Sequence, residues 1–126
     1  MPRPVPVLVT YRPKKGKESR FLSILKRHWS ALRSAGLAAP TPPRAWRAKD
    51  KRSGRVHFVE TFAWKDASSS DRAHTHPEVV AIWGPMMPLL ESMEIAVVEE
   101  LALPAARSPA GARRPRGAVA RSARRG

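Results

Sequence analysis

Three observations place this chain in the α+β class, with the element order β-α-β-β-α-β. Alternating, β-branched segments open residues 1–103, recur in their middle and close them. Two stretches of helical spacing lie between those segments, and glycine, proline or Ser/Asp-rich turns fall at the joins. The 126 residues suffice for one domain with a real core and an appendage, but not for two such domains.

Pro4–Arg12 (PVPVLVTYR) sets Val5, Val7, Val9 and Tyr11 on one face and Leu8, Thr10 and Arg12 on the other, the pattern of a first strand. Pro4 and Pro6 sit where the ladder has barely begun, as suits a strand start or an edge. From Ser19 to Ala35, Phe21, Ile24, Leu25, His28 and Leu32 form one helical stripe, which Gly36 stops and Pro40 leaves behind. Arg44–Asp50 is a short second strand anchored by Trp46, and Ser53-Gly54 marks the tip of a hairpin. Val56–Trp64 is the third strand. Val56, Phe58, Phe62 and Trp64 share a face with Glu60, while Val59, Thr61 and Ala63 share the other with His57. Both faces are largely apolar, so both are expected to be covered.

Ser68–Asp71 offers helix caps for a turn reaching His74. Thr75-His76-Pro77-Glu78 then reads as a second start, with Thr75 as cap, Pro77 in the first turn and Glu78 at the capping-box position. Val79, Ile82, Trp83 and Met86 make the apolar stripe, which Gly84-Pro85 and Pro88 are expected to end or kink. Glu94–Leu103 reads as a fourth strand. From Pro104 to Gly126 alanine, arginine, proline and glycine dominate without aromatics or periodicity, the composition of a disordered tail.

The formal charge of +14 divides evenly. Residues 104–126 hold seven arginines and no acid; the other seventeen basic residues and all ten acids lie in 1–103. There is no cysteine, which excludes disulfides, thiolate metal sites and cysteine nucleophiles, and a reducing, cytoplasmic location is the natural expectation. No apolar run is long enough to span a bilayer. The proline-containing start is better explained by a strand than by a signal peptide.

The element order is the split arrangement of ferredoxin-like folds, with two helices on one face of a four-stranded antiparallel sheet. The apolar second face suggests a second copy packed sheet against sheet in a homodimer.

The segment FAWKDASSSDRAHTHPEVVAIWGPM resembles the signature region of the antibiotic-biosynthesis-monooxygenase-like dimeric α/β-barrel proteins. In that region a strand ending in tryptophan leads through a polar stretch to an Ala-His pair, a proline-initiated helix and a further aromatic. Here Trp64, Ala73-His74, Pro77 and Trp83 take those places. The likeness spans residues 5–103 and implies a dimeric α/β-barrel with one pocket per subunit between helices and sheet. Some such proteins oxidise polyphenolic or anthrone-like compounds with dioxygen and no cofactor, and others degrade haem. The asparagine often found on the first strand of active members is missing from VPVLVTYR.

On this reading His74 is the candidate catalytic base, an imidazole able to take a proton from a phenol or enol. Trp64 and Trp83 are candidate walls for a flat ligand, and Tyr11 would reach the pocket mouth. The His74-x-His76-x-Glu78 spacing invites a metal, but residues two apart on a helix do not share a face, so no metal is expected; the resemblance implies that no cofactor is needed. Met86-Met87 reads as soft core filling.

Two functions follow. One is a homodimeric barrel that binds a small aromatic or planar ligand, with cofactor-independent monooxygenation implied by the resemblance. The other is a non-enzymatic binding or assembly module whose basic tail engages nucleic acid or another polyanion through salt-dependent phosphate contacts.

Overall fold

The computed structural model describes residues 3–105. The tail expected over 104–126, with its arginines and its nucleic-acid reading, lies from residue 106 onward outside the described residues.

Strand β1 (Val5–Pro13) occupies an inner position between β3 (Val56–Trp64) and β4 (Leu90–Val97), and β2 (Arg44–Lys49) pairs with the far side of β3. All three pairings are antiparallel, in the order β2-β3-β1-β4. This is the ferredoxin-like sheet expected from the sequence. Val7, Val9 and Tyr11 of β1 are buried on one face with Phe58, Glu60, Phe62 and Trp64 of β3, while the intervening residues are only half-buried. The alternation thus puts the core on a single side of the sheet.

Helices α1 (Glu18–Leu25), α2 (His28–Ser34), α3 (Ser69–Ala73) and α4 (Pro77–Met86) supply the second layer, and α1 and α2 both pack on α4. The single helix expected over 19–35 is two. The Arg27 amide bonds the Ile24 carbonyl three residues back, a tight turn, before Ala31 resumes the four-residue pattern on Arg27. The apolar stripe runs unbroken across this turn, which is why periodicity alone shows one helix. Phe21, fully buried, meets the Tyr11 ring at 5.0 Å and the Phe58 ring at 5.6 Å, joining helix layer to sheet.

Gly36 ends α2 as the sequence indicates. It takes a φ of 75°, its amide reaches the Arg33 carbonyl, and the Leu37 amide reaches that of Leu32, the paired bonds of a Schellman stop. The β2–β3 hairpin turns at Gly54 (φ 74°), with the Asp50 carboxylate accepting from the Arg52 and Ser53 amides.

Three boundaries differ from expectation. His76, not Thr75, caps α4: His76 is extended and its Nδ1 accepts from the Glu78 amide at 3.3 Å, while Thr75 donates to the Arg72 carbonyl. Pro85 does not end α4. The carbonyl it leaves without an amide partner belongs to exposed Ala81, which water can satisfy, and Pro88 instead tightens the chain into a 3-10 turn at Met87–Leu89. The fourth strand begins at Leu90 and stops at Val97, rather than running 94–103, because its register is fixed by pairing with β1 from Pro13↔Leu90 to Val7↔Val97. Among the described residues no helix is long and apolar enough to cross a membrane.

Candidate functional site

Between the helices and the β1–β4 side of the sheet lies a cavity of about 270 Å³. Val9 and Tyr11 of β1, with Phe62 and Trp64 of β3, form its sheet wall, and Met93 and Ile95 of β4 flank it. His28 of α2 and Trp83 and Met86 of α4 face them, while Ser70, His74 and Met87 complete the lining. The surface is predominantly apolar, with polar atoms contributed by a few side chains, the usual make-up of a small-molecule site.

Residues expected at a site from the sequence converge here. Tyr11, Trp64, His74 and Trp83 all line this cavity. Trp64 is buried and meets the Phe62 ring edge-on at 5.0 Å. Trp83 is half-buried, with the His74 ring standing edge-on at 5.1 Å from it. Tyr11 is not at a mouth: it is fully buried, with its hydroxyl turned to Glu60 at 2.7 Å. Burial first, and then the Glu60 charge, push its phenol far above the ordinary range, so the group is a fixed donor and not a base. Met86 is buried as expected, whereas Met87 is 47% exposed.

His74 reaches the cavity through a locally built turn. The Asp66 carboxylate, just past β3, accepts from the Ser68 amide and from the hydroxyls of Ser68 and Ser69 at 2.9–3.0 Å. Those hydroxyl bonds, Ser68 first, hold the Asp66 carboxyl below its usual value. The turn launches α3, and His74 caps its C-terminal end just past Ala73, exposed, with Nδ1 2.8 Å from the Ser70 carbonyl. A carbonyl only accepts, so Nδ1 carries a proton, and in the neutral imidazole Nε2 keeps the lone pair. His76 and Glu78 serve the α4 cap instead, and among the described residues no group of three or more His, Asp or Glu is placed to hold a metal ion.

Two residues of the site were not singled out from sequence. His28, buried on α2, lines the cavity; its Nε2 accepts from the Trp83 indole at 2.8 Å. Its Nδ1 lies 3.3 Å from Glu60 Oε1, near enough for electrostatic contact though off the alignment of a hydrogen bond. Tyr11, Glu60, His28 and Trp83 therefore form one chain of polar contacts behind and along the cavity wall. The signal was present: each of His28 and Glu60 is a polar residue inside an otherwise apolar stripe.

No described protein family matches the sequence, and no curated protein is significantly similar to it. The fold, in contrast, has many solved counterparts, among antibiotic-biosynthesis-monooxygenase-like proteins and dimeric ferredoxin-like proteins. SnoaB, a cofactor-independent oxygenase of Streptomyces nogalater, superposes with a TM-score of 0.58 at 14% identity, over 81% of this chain and 98% of its own. Rv0793 of Mycobacterium tuberculosis gives 0.58 at 14% identity, over 82% and 100%. A dimeric ferredoxin-like protein of unknown function from Bacteroides fragilis gives 0.60 at 12% identity, over 79% and 100%. At such identities the likeness establishes the fold.

Proposed function

We propose that the cavity binds a small, flat aromatic molecule bearing an ionisable hydroxyl, and that His74 accepts the proton of that hydroxyl. The observation that carries this reading is the lone-pair Nε2 of His74, left available by the Ser70 carbonyl, beside an apolar cavity flanked by the indoles of Trp64 and Trp83. At about 270 Å³ the space lies just below the usual range of ligand sites, roughly 300–1,000 Å³. That favours two or three fused rings over a haem. Deprotonation would make an electron-rich phenolate or enolate, which can give electrons to dioxygen. For an anthrone-like substrate the ring methylene loses two hydrogens and gains one oxygen atom. The second oxygen leaves with those hydrogens as water, so no outside reductant is required. SnoaB, which shares the fold, supports the oxygenase step.

The test is a thermal-shift and tryptophan-quenching screen of the full chain with naphthol, a naphthohydroquinone and anthrone, followed by oxygen uptake on any binder. A ligand at about a hundredfold its Kd adds roughly 2.7 kcal/mol. Binding by the aromatic alcohols and uptake of one dioxygen per anthrone support the proposal. A flat panel refutes the binding, and binding without uptake refutes the oxygenation.

We further infer that the working unit is a homodimer. Leu8 and Val59 lie half-buried on the sheet face that no helix covers, and Trp46, paired with Val59, is 45% exposed there. The Bacteroides fragilis protein of the same fold is dimeric. Light scattering should give twice the chain mass and Val59→Lys should halve it; a monomeric wild-type chain would overturn the inference.

A further inference from the structure

Glu60 is a carboxylate placed where a hydrophobic residue would be cheaper. It is 3% exposed on an inner strand, and among the described residues no lysine or arginine pairs with it. A buried charged or polar group is destabilising unless its neighbours satisfy it. What holds Glu60 is the Tyr11 hydroxyl, which donates to Oε1 at 2.7 Å, with the Nδ1 edge of His28 in electrostatic contact with the same oxygen at 3.3 Å.

The consequence appears at the far edge of the imidazole. An indole N–H can only donate, so the 2.8 Å bond from Trp83 requires a lone pair on His28 Nε2. A neutral His28 then carries its proton on Nδ1, facing Glu60, and the carboxylate favours that tautomer. The His74 ring packs edge-on against the same indole at 5.1 Å. The indole thus contacts two imidazoles, one bonded to its nitrogen and one packed edge-on.

We propose that His28 is a positioning residue: backed by Glu60 and Tyr11, it fixes the Trp83 indole as a wall of the cavity, and it selects ligands with a single polar end. The selection follows from the hydrogen bonds already made. The Tyr11 hydroxyl is given to Glu60 and the Trp83 N–H to His28, so neither donor is free for a ligand. A hydroxyl carried past them would lose its water without a replacement partner, whereas one beside His74 meets Nε2. This inference rests on the aromatic-ligand reading only in its selectivity; the positioning of Trp83 stands apart from it.

The experiment uses the full chain, isotope-labelled, whose four tryptophans give four indole N–H resonances. Trp83→Phe assigns the relevant one. Wild type should show a Trp83 indole proton protected from solvent exchange and a His28 ring in the Nδ1–H tautomer. His28→Gln, whose side-chain carbonyl can accept in place of Nε2, should retain most of that protection. His28→Phe and His28→Leu should lose it by at least about tenfold, the scale of one hydrogen bond. Wild type should also bind naphthol at least about tenfold more tightly than a naphthalene diol with hydroxyls at opposite ends. That preference should shrink in His28→Phe, where the indole N–H is released.

An Nε2–H tautomer of His28 in wild type, or equal protection in all three variants, overturns the positioning role; the tautomer is read even where the variants fail to fold. Equal binding of naphthol and the diol by wild type overturns the selectivity. If naphthol does not bind at all, the selectivity and the proposed function fall together, while the indole data still decide the positioning.

Discussion

The Tyr11 hydroxyl donates a 2.7 Å hydrogen bond to Glu60 Oε1 across the β1–β3 ladder, on the face the helices cover. The two residues are diagonal neighbours, since Glu60 stands opposite Val9 and Tyr11 opposite Phe58. Tyr11 is the only tyrosine in the chain, so its titration can be followed without interference. Burial, and then the Glu60 charge and hydrogen bond, raise its pKa from 10.0 in the folded protein. The neutral phenol is therefore favoured by folding. Its stabilising contribution is whole below pH 10.0 and is lost progressively as pH climbs above that value. Tyrosinate absorbance should appear only together with alkaline unfolding. A reversible titration in a chain that keeps its native circular dichroism would contradict the contact.

Tyr11→Phe keeps the ring and removes the donor. Glu60 then has only the poorly aligned His28 edge, and leaving a buried acceptor short of its partner costs about 1–3 kcal/mol. Urea unfolding should show the midpoint falling with an unchanged slope. An unchanged midpoint would mean that water replaces the hydroxyl.

Gly36 closes the Schellman stop at φ 75°, with open space where a Cβ would go. Gly36→Ala should therefore lose stability through backbone strain alone, about 1–2 kcal/mol. That corresponds to a Tm drop of roughly 4–8 °C per kcal/mol in a domain of this size.

Asp66 is held below the usual carboxylate value by the Ser68 and Ser69 hydroxyls, so what it adds to stability is present at neutral pH and is lost as pH falls through its lowered pKa. Asp66→Ala should be less stable than wild type near neutrality, and the two should converge in acid. Denaturation midpoints measured across the acid range test this; a constant gap between the proteins would show that the carboxylate charge is not what holds the turn.

His74 is exposed and bonds only the Ser70 carbonyl through its ring, so His74→Ala should change stability by no more than about 0.5 kcal/mol. Naphthol affinity should nevertheless drop about tenfold, the worth of one hydrogen bond to a group that becomes charged. Isothermal titration separates the two effects, and unaltered affinity would remove His74 from the site.

The sheet was legible because period-two alternation is a local signal, and Val7–Val9–Tyr11 and Phe58–Phe62–Trp64 obey it with few exceptions. The end of β4 was not. EIAVVEELAL has strand character throughout, and only pairing with β1 decides that Leu90 begins the ladder and Val97 ends it. The site was legible where its residues cluster in sequence, from Trp64 through His74 to Trp83. Its interior half was hidden by distance along the chain. His28 and Trp83 are 55 positions apart and Tyr11 and Glu60 are 49, and no periodicity reports which polar residue of one element will meet which of another.

The cavity's rim carries a chemical vulnerability that its floor does not. Met87 and Met93 are 47% and 40% exposed, whereas Met86, lining the same space, is 1% exposed. An oxidant in solution reaches the two outer thioethers first and turns each into a polar sulfoxide. An ageing preparation would thus keep its fold and its interior walls while its entrance turns hydrophilic, losing its attraction for an apolar guest before any change in melting temperature announced the damage.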